Sequence, residues 1–212
     1  MEVKKLDLHY ARASWGDVIE AAGKLLLAVM YAFFLYAFIK DFVENQRLSS
    51  LLFAIVESLF LYMSVTRRPP VELSTFGPAW LFGYVGTFSP LLLSPSPSVD
   101  TNLGPVVQVA GVILIGLAIG SLGRSFGIVA ANRGVVISGM YRWIRHPMYM
   151  AYFVNIAGFM INNISLNNVA IVFVLVFAQL ARIQYEEKLL RKDPVYAQYA
   201  ERVRWRLIPY IY

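Results

Sequence analysis

HPMYMAYFVNIAGFMINNISLNNVAIVFVLVFAQLA, residues 146–181, is the longest run in the chain without an ionised side chain. As one helix, at 1.5 Å per residue, it would reach roughly 54 Å, far beyond a bilayer core of about 30 Å. It therefore folds back on itself. The asparagine-rich INNISLNN (Ile161–Asn168) supplies the turn, leaving one short helix that starts at Pro147 and another that runs from Val169 into the polar C-terminus.

The same reading extends upstream, because an ionised group at the bilayer centre is expensive and charge-free intervals therefore mark spans. LLLAVMYAFFLYAFI lies between Lys24 and Lys40, whose stems can snorkel and lengthen the span. A second interval runs from Arg47 to Arg67, broken only by Glu57, a third has its apolar part at Pro78–Leu93, and a fourth lies between Asp100 and Arg124, with Gln108 its one strongly polar residue. The expected fold is an all-α integral membrane protein of five to six transmembrane helices, the last two a short hairpin, with cytosolic loops closing a pocket. Residues 1–123 carry the first four spans, and 124–212 carry the polar segments and the hairpin. Gly116 and Gly120, with Gly123 and Gly127 further on, place small residues in pairs four apart, a spacing that suits close helix packing.

Composition agrees. Of 212 residues, 58% are hydrophobic and 15% charged, where soluble domains average roughly 45–50% and 25%, and the mean hydropathy is +0.57. This excludes intrinsic disorder, and the absence of cysteine excludes a disulfide scaffold, a thiol nucleophile and a thiolate metal site. With His9 and His146 the only histidines, a multi-histidine zinc site is not expected. Six crossings put Lys4, Lys5, Arg12, Arg67, Arg68, Arg124, Arg133, Arg142, Arg145 and the cations from Arg182 to Arg206 on one side, against Lys40 and Arg47 on the other. Both termini are then cytosolic, and the net charge of +6 reflects topology and anionic lipid rather than nucleic acid. The first apolar segment lacks a following small-residue cleavage site and reads as a retained anchor.

The chemistry gathers in 124–147 and 182–209, which flank the hairpin. Pro147 suits the first turn of a helix, so His146 stands near its N-cap with unpaired backbone N–H groups just beyond, a place that favours a carboxylate or phosphate. Arg182 and Glu186, four apart, share a helix face, while Glu187 lies about 100° round and serves either solvent or the first cluster. Glu57, in mid-span, is either a paired structural carboxylate or a site residue. Tyr141, Trp143, Tyr149 and Tyr152 read first as an interfacial belt and second as a ligand cage. Tyr196 and Tyr199 with Arg202, Arg204, Trp205 and Arg206 form a basic amphipathic segment suited to lying on anionic lipid. No GxGxxG after a strand, GxxxxGK[ST] or HExxH occurs, which argues against a soluble nucleotide-binding or metallopeptidase module.

LGRSFGIVAANRGVVISGMYRWIRHPMYMAY (Leu122–Tyr152), followed by RIQYEEKLL (Arg182–Leu190) and YAQYAERVRWRLIP (Tyr196–Pro209), resembles the isoprenylcysteine carboxyl methyltransferase family. The combined pattern is G-x-Y-x-x-x-R-H-P-x-Y and then R-x-x-x-E-E. The resemblance implies a membrane enzyme that transfers methyl from S-adenosylmethionine to a lipophilic acceptor drawn from the bilayer, with neither metal nor nucleic acid as partner. It places the cofactor on Arg133, Gly134, Val135, Val136, Tyr141, His146, Pro147, Met148 and Tyr149, with Glu186 and Glu187 beside it, and sets Arg182 facing the acceptor. Arg182 and Glu186 are the expected catalytic pair. Ala151, where many members carry Gly, is a departure that could narrow the pocket. An isoprenylcysteine-like carboxylate is the favoured acceptor and needs no base; a phospholipid amine or thiol would need Glu186 or Glu187 as general base. Two other readings suit the same architecture, a membrane reductase using a nicotinamide cofactor and a non-enzymatic carrier.

Overall fold

The structure is a computed structural model that describes residues 15–66, 72–73, 77–96, 101–125 and 130–212, without side chains for 15–27, 64–66, 72–73, 124 and 131. Lys4, Lys5, Arg12, Arg67, Arg68, Arg124 and Gly127 lie outside the described residues or their side chains, and with them part of the charge count. The described helices are α1 (Trp15–Asn45), α2 (Leu48–Thr66), α3 (Pro78–Phe88), α4 (Leu103–Leu122), α5 (Pro147–Asn162), α6 (Leu166–Leu190) and α7 (Pro194–Arg202), with short 3₁₀ turns at Ser89–Leu92, Gly123–Ser125 and Gly139–Arg142. Two short strands, β1 (Glu72–Leu73) and β2 (Ala131–Asn132), pair antiparallel.

Among the described residues two helices, α4 and α6, are long and apolar enough to cross a membrane. Only 28% of the apolar window of α4 and 33% of that of α6 is buried inside the protein. Their outward faces carry Val106, Ile113, Leu117 and Phe173, the last 75% exposed. The interior side packs Phe34 and Phe38 of α1, Phe53 of α2 and Phe159 of α5 into one aromatic cluster, the Phe53 and Phe159 rings 4.6 Å apart.

The third interval differs from its expectation. Its helix ends after 11 residues and continues as a 3₁₀ turn, too short at 1.5–2 Å per residue to cross a bilayer alone. Pro90 has no N–H to extend an α-helical ladder, and Leu93 leaves the turn in an extended conformation. Its freed backbone groups are taken up by the asparagines of the α5–α6 turn. Asn163 accepts from the Ser96 amide (2.8 Å), Asn162 from the Thr101 amide (3.0 Å), and Asn168 both accepts from the Ser94 amide (3.2 Å) and donates to the Ser94 carbonyl (2.8 Å). The asparagines thus do more than turn the chain. Helix α6 begins at Leu166 rather than Val169, because Ser165 caps it by accepting from the Asn168 amide.

The α1–α2 turn is closed by Asp41, which accepts from Arg47, Ser50 and Asn45. Arg47, expected as a loop cation, is buried in that pair and so leaves Lys40 as the exposed cation of the two.

Although α5 and α6 follow each other directly, α5 packs along α4 and α6 along α3. The α4–α5 contact is close because of glycine, though not at the positions expected. A Cβ on Gly111 would lie 2.7 Å from the Asn155 amide nitrogen, one on Gly158 would lie 2.6 Å from the Gln108 amide nitrogen, and one on Gly104 would collide with the Asn162 side chain. At Gly116 and Gly120 a Cβ would find nothing within 4 Å. The Gly116–Gly120 spacing therefore faces outward, and the seam is Gly104, Gly111 and Gly158. We expect Gly111→Ala to force the α4–α5 backbones apart and cost about 1–3 kcal/mol, and Gly116→Ala to be neutral or slightly stabilising. Thermal melts of the two detergent-purified variants test this; equal midpoints would refute the seam.

Candidate active site

Three chain segments are brought together at the start of α5. Arg145 and His146 donate their backbone N–H groups to the carbonyls of Trp205 (2.9 Å) and Arg206 (2.8 Å), so the C-terminal segment lies along the entry to α5. The last turns of α6 approach from the other side. Asn132 in turn donates to Asp193 (3.0 Å), which caps α7 by accepting from the Val195 amide (2.9 Å); these bonds hold the Asp193 carboxyl below the usual range. Asn132 also accepts from the Gly134 amide (2.9 Å), fixing a loop where Gly134 has φ +98°, a conformation natural to glycine.

The adjacent glutamates of α6 take different roles because they point about 100° apart. Glu187 is buried and surrounded by donors: Arg145 Nε at 2.7 Å, Tyr196 Oη at 2.9 Å, His146 Nε2 at 3.0 Å and Arg191 Nε at 3.3 Å. A carboxylate only accepts, so His146 carries its proton on Nε2 and turns Nδ1 toward Glu186, whose Oε2 is 3.9 Å away. Arg145 also donates to the carbonyls of Ala200 (3.2 Å) and Val203 (3.0 Å), tying α7 to α5.

Glu186 accepts from Tyr149 (2.6 Å) and from Arg182 Nε (3.2 Å). The Arg182 guanidinium lies 5.3 Å from the centre of the Tyr149 ring and donates to Thr87 (3.4 Å) and Gln179 (3.5 Å), while Gln179 donates to the Gly86 carbonyl (3.0 Å). Arg182 is thus fixed by α3, α5 and its own helix. On the polar rim, burial pushes the phenols of Tyr141, Tyr196 and Tyr199 above the ordinary tyrosine value, so they stay protonated donors; Tyr199 donates to the Tyr141 carbonyl.

Most of these groups line one cavity of about 190 Å³. Its polar end is formed by Arg133, Gly134, Val135, Val136, Tyr141, His146, Met148, Tyr149, Arg182 and Glu186, each expected from the sequence. Its apolar end is formed by Phe60, Leu61, Phe88 and Leu91, with Glu57 and Tyr152 among them. Pro147 and Glu187 do not line it: Pro147 opens α5, and the oxygens of Glu187 are turned to donors behind the wall. Ala151 is buried in the core and not part of the cavity, so its methyl does not narrow the space. Of the aromatic run, Tyr141, Tyr149 and Tyr152 line the cavity, and Trp143 alone is exposed. Tyr196 and Tyr199, expected on a lipid-facing surface, are buried against the site instead, while Arg202 and Arg204 on the same segment remain exposed. The role of Arg145 as the link between α5 and α7 was not legible, because its partners lie 42 residues or more away. Among the described residues no group of three or more His, Asp or Glu is placed to hold a metal ion.

The chain has an Arg, Glu and Tyr cluster at one end of a largely apolar cavity, and it is similar to isoprenylcysteine carboxyl methyltransferases. Residues 105–192 match the profile of the isoprenylcysteine carboxyl methyltransferase (ICMT) family. The chain is 29% identical over 178 residues to protein-S-isoprenylcysteine O-methyltransferase A of Arabidopsis thaliana, covering 75% of this chain and 89% of that protein. The polar-end residues from Arg133 to Glu186 fall within 105–192, whereas Tyr196 and Tyr199 of the rim, Thr87, and Glu57, Phe60, Leu61, Phe88 and Leu91 fall outside it.

Proposed function

We propose that the protein methylates the carboxylate of an isoprenylcysteine-like, lipid-tailed acceptor with S-adenosylmethionine as donor, from within the cytoplasmic membrane. The observation that carries this reading is the single cavity, with the Arg182–Glu186–Tyr149 cluster at its polar end and hydrophobic side chains at the other. The charge distribution supports five to six crossings, with both termini and the polar end cytosolic. Residues 1–123 then form chiefly the acceptor side and 124–212 the cofactor side.

The polar end suits the donor by its chemistry. The first-turn N–H groups of Met148 and Tyr149 have no intrahelical acceptor and suit a carboxylate, and Glu186 suits an ammonium or ribose hydroxyls. Tyr141 and Tyr149 present aromatic faces that suit a sulfonium, and Val135 and Val136 offer an apolar edge. When bound, S-adenosylmethionine supplies an electrophilic methyl carbon. Arg182 holds the acceptor carboxylate by charge-assisted hydrogen bonds, and Glu186 and Thr87 fix the guanidinium in that pose. An ionised carboxylate needs no proton removed, so the residues act by alignment and exclusion of water. His146, locked through Glu187, shapes the polar wall.

Calorimetric titration of S-adenosylhomocysteine into detergent-purified protein tests the cofactor side. We expect binding by wild type and at least tenfold weaker binding by His146→Ala and by Glu186→Ala, both still helical. Undiminished binding in both variants would move the cofactor elsewhere.

A further inference from the structure

A hydrocarbon tail needs only apolar walls, and Phe60, Leu61, Phe88 and Leu91 provide them. Among them sits Glu57, a carboxylate that is 6% exposed, in a place where an acidic group is costly to keep. Its Oε1 accepts from Tyr152 Oη at 2.5 Å. Among the described residues no further hydrogen bond reaches Glu57, and Glu57 lines the cavity. The neighbouring Tyr31 hydroxyl is engaged with Ser58 at 2.7 Å and does not compete for it.

Position along α5 sets the distance. Tyr149 contacts Glu186 beneath Arg182, and Tyr152, which contacts Glu57, follows three residues later on the same face, about 4.5 Å further along the axis. Glu57 is thus held from a position on α5 less than one helical turn beyond the one that holds Glu186, and both line the same cavity as Arg182. In a carboxylate bearing an α-amide, the amide nitrogen is about 2.5 Å from the carboxyl carbon, and a hydrogen bond of about 2.9 Å at each end lets one molecule bridge groups roughly 8 Å apart.

We propose that Glu57, oriented by Tyr152, is a specificity-determining residue that accepts a hydrogen bond from an N–H beside the methyl-accepting carboxylate, so that the enzyme selects lipid-tailed α-amido acids over plain lipid-tailed acids. This rests on the acceptor reading given above and deepens it. Glu57 makes no contribution to methyl transfer itself; it reads the group next to the reacting one, and an acceptor without that N–H leaves the carboxylate desolvated and unpaired.

The test compares two acceptors with the full-length protein in detergent: N-acetyl-S-farnesylcysteine, and S-farnesyl-3-thiopropionate, which is the same molecule without its acetamido group. We expect wild type to favour the first by about tenfold or more in kcat/KM, the effect of one hydrogen bond to a charged group, and Glu57→Met to reduce that ratio to below about threefold. A structural role for Glu57 would lower turnover of both acceptors together and leave the ratio unmoved, which would overturn the proposal, as would a wild-type ratio near one. If Glu57→Met loses S-adenosylhomocysteine binding, Glu57→Gln and Tyr152→Phe decide: a fall of at least about threefold in the ratio in either supports the assignment, and an unchanged ratio in both refutes it. Methylation of neither acceptor by wild type that binds S-adenosylhomocysteine would overturn the acceptor class as well, whereas turnover of both with an unmoved ratio overturns this assignment alone.

Discussion

Replacing Arg182 with Met should lower kcat/KM for an isoprenylcysteine-like carboxylate by about 10²–10³-fold, while S-adenosylhomocysteine affinity falls by less than about tenfold. The side chain is 4% exposed and packed between Tyr149, Glu186, Thr87 and Gln179, so its charge has few solvent alternatives and its direction is fixed. Removing one partner of a buried ion pair costs about 3–5 kcal/mol, which corresponds to two to three and a half powers of ten in rate when the loss falls on the transition state. Arg182→Lys keeps the charge but loses the planar fork and the stacking on Tyr149, and should recover only part of the activity. Glu186 keeps its bond from Tyr149 in either variant, which is why the cofactor side should suffer less. Steady-state kinetics beside calorimetry separates the two. Wild-type kcat/KM in Arg182→Met would remove the acceptor role, and cofactor affinity falling in step with turnover would make Arg182 a support of the cofactor side instead.

How much of the fold could be read in advance depended on whether the determinant was local. Charge-free intervals and helix length are local quantities, and they located α2, α4, the start of α5 at Pro147 and the turn after it. The break in the third interval is also local, since Pro90 and the prolines after it remove amide donors within an apolar run. The glycine seam was not local. Gly111 and Gly116 look alike in one sequence, and only the partner surface on α5 distinguishes the one that meets Asn155 from the one that meets nothing.

The same division holds for the cavity. Arg182 and Glu186 are four residues apart, so their shared face follows from helix periodicity alone. His146 at a helix start follows from Pro147. The separation of Glu186 from Glu187 into a cavity-facing and a wall-forming carboxylate follows from a 100° rotation, but which was which required knowing that Arg145, His146 and Tyr196 lie on one side. Glu57 could be noticed as a carboxylate in a span; its partner Tyr152, 95 residues away, could not.

Glu187→Ala should do the most damage to the fold, and by a different route. Its carboxylate is the common acceptor for Arg145, His146, Tyr196 and Arg191, so one substitution leaves a buried guanidinium without its counter-charge and two buried donors without their acceptor. Leaving a buried charge uncompensated costs about 3–5 kcal/mol, a large part of the 5–15 kcal/mol by which proteins are usually stable. The loss should be felt first where Glu187 is the link: Arg145, at the entry to α5, holds the end of α7, Tyr196 holds α7 to Glu187 on α6, and the Tyr196 phenol, kept protonated by burial, has no second acceptor among the described residues. We therefore expect faster amide hydrogen exchange across 191–207, a lower thermal midpoint and loss of S-adenosylhomocysteine binding. Glu186→Gln supplies the contrast, because Glu186 faces the cavity and an amide there still accepts from Tyr149. It should keep the thermal midpoint and the exchange pattern while cofactor affinity and turnover fall. If Glu186→Gln loosened 191–207 and Glu187→Ala left it protected, the roles assigned to the two neighbours would have to be exchanged.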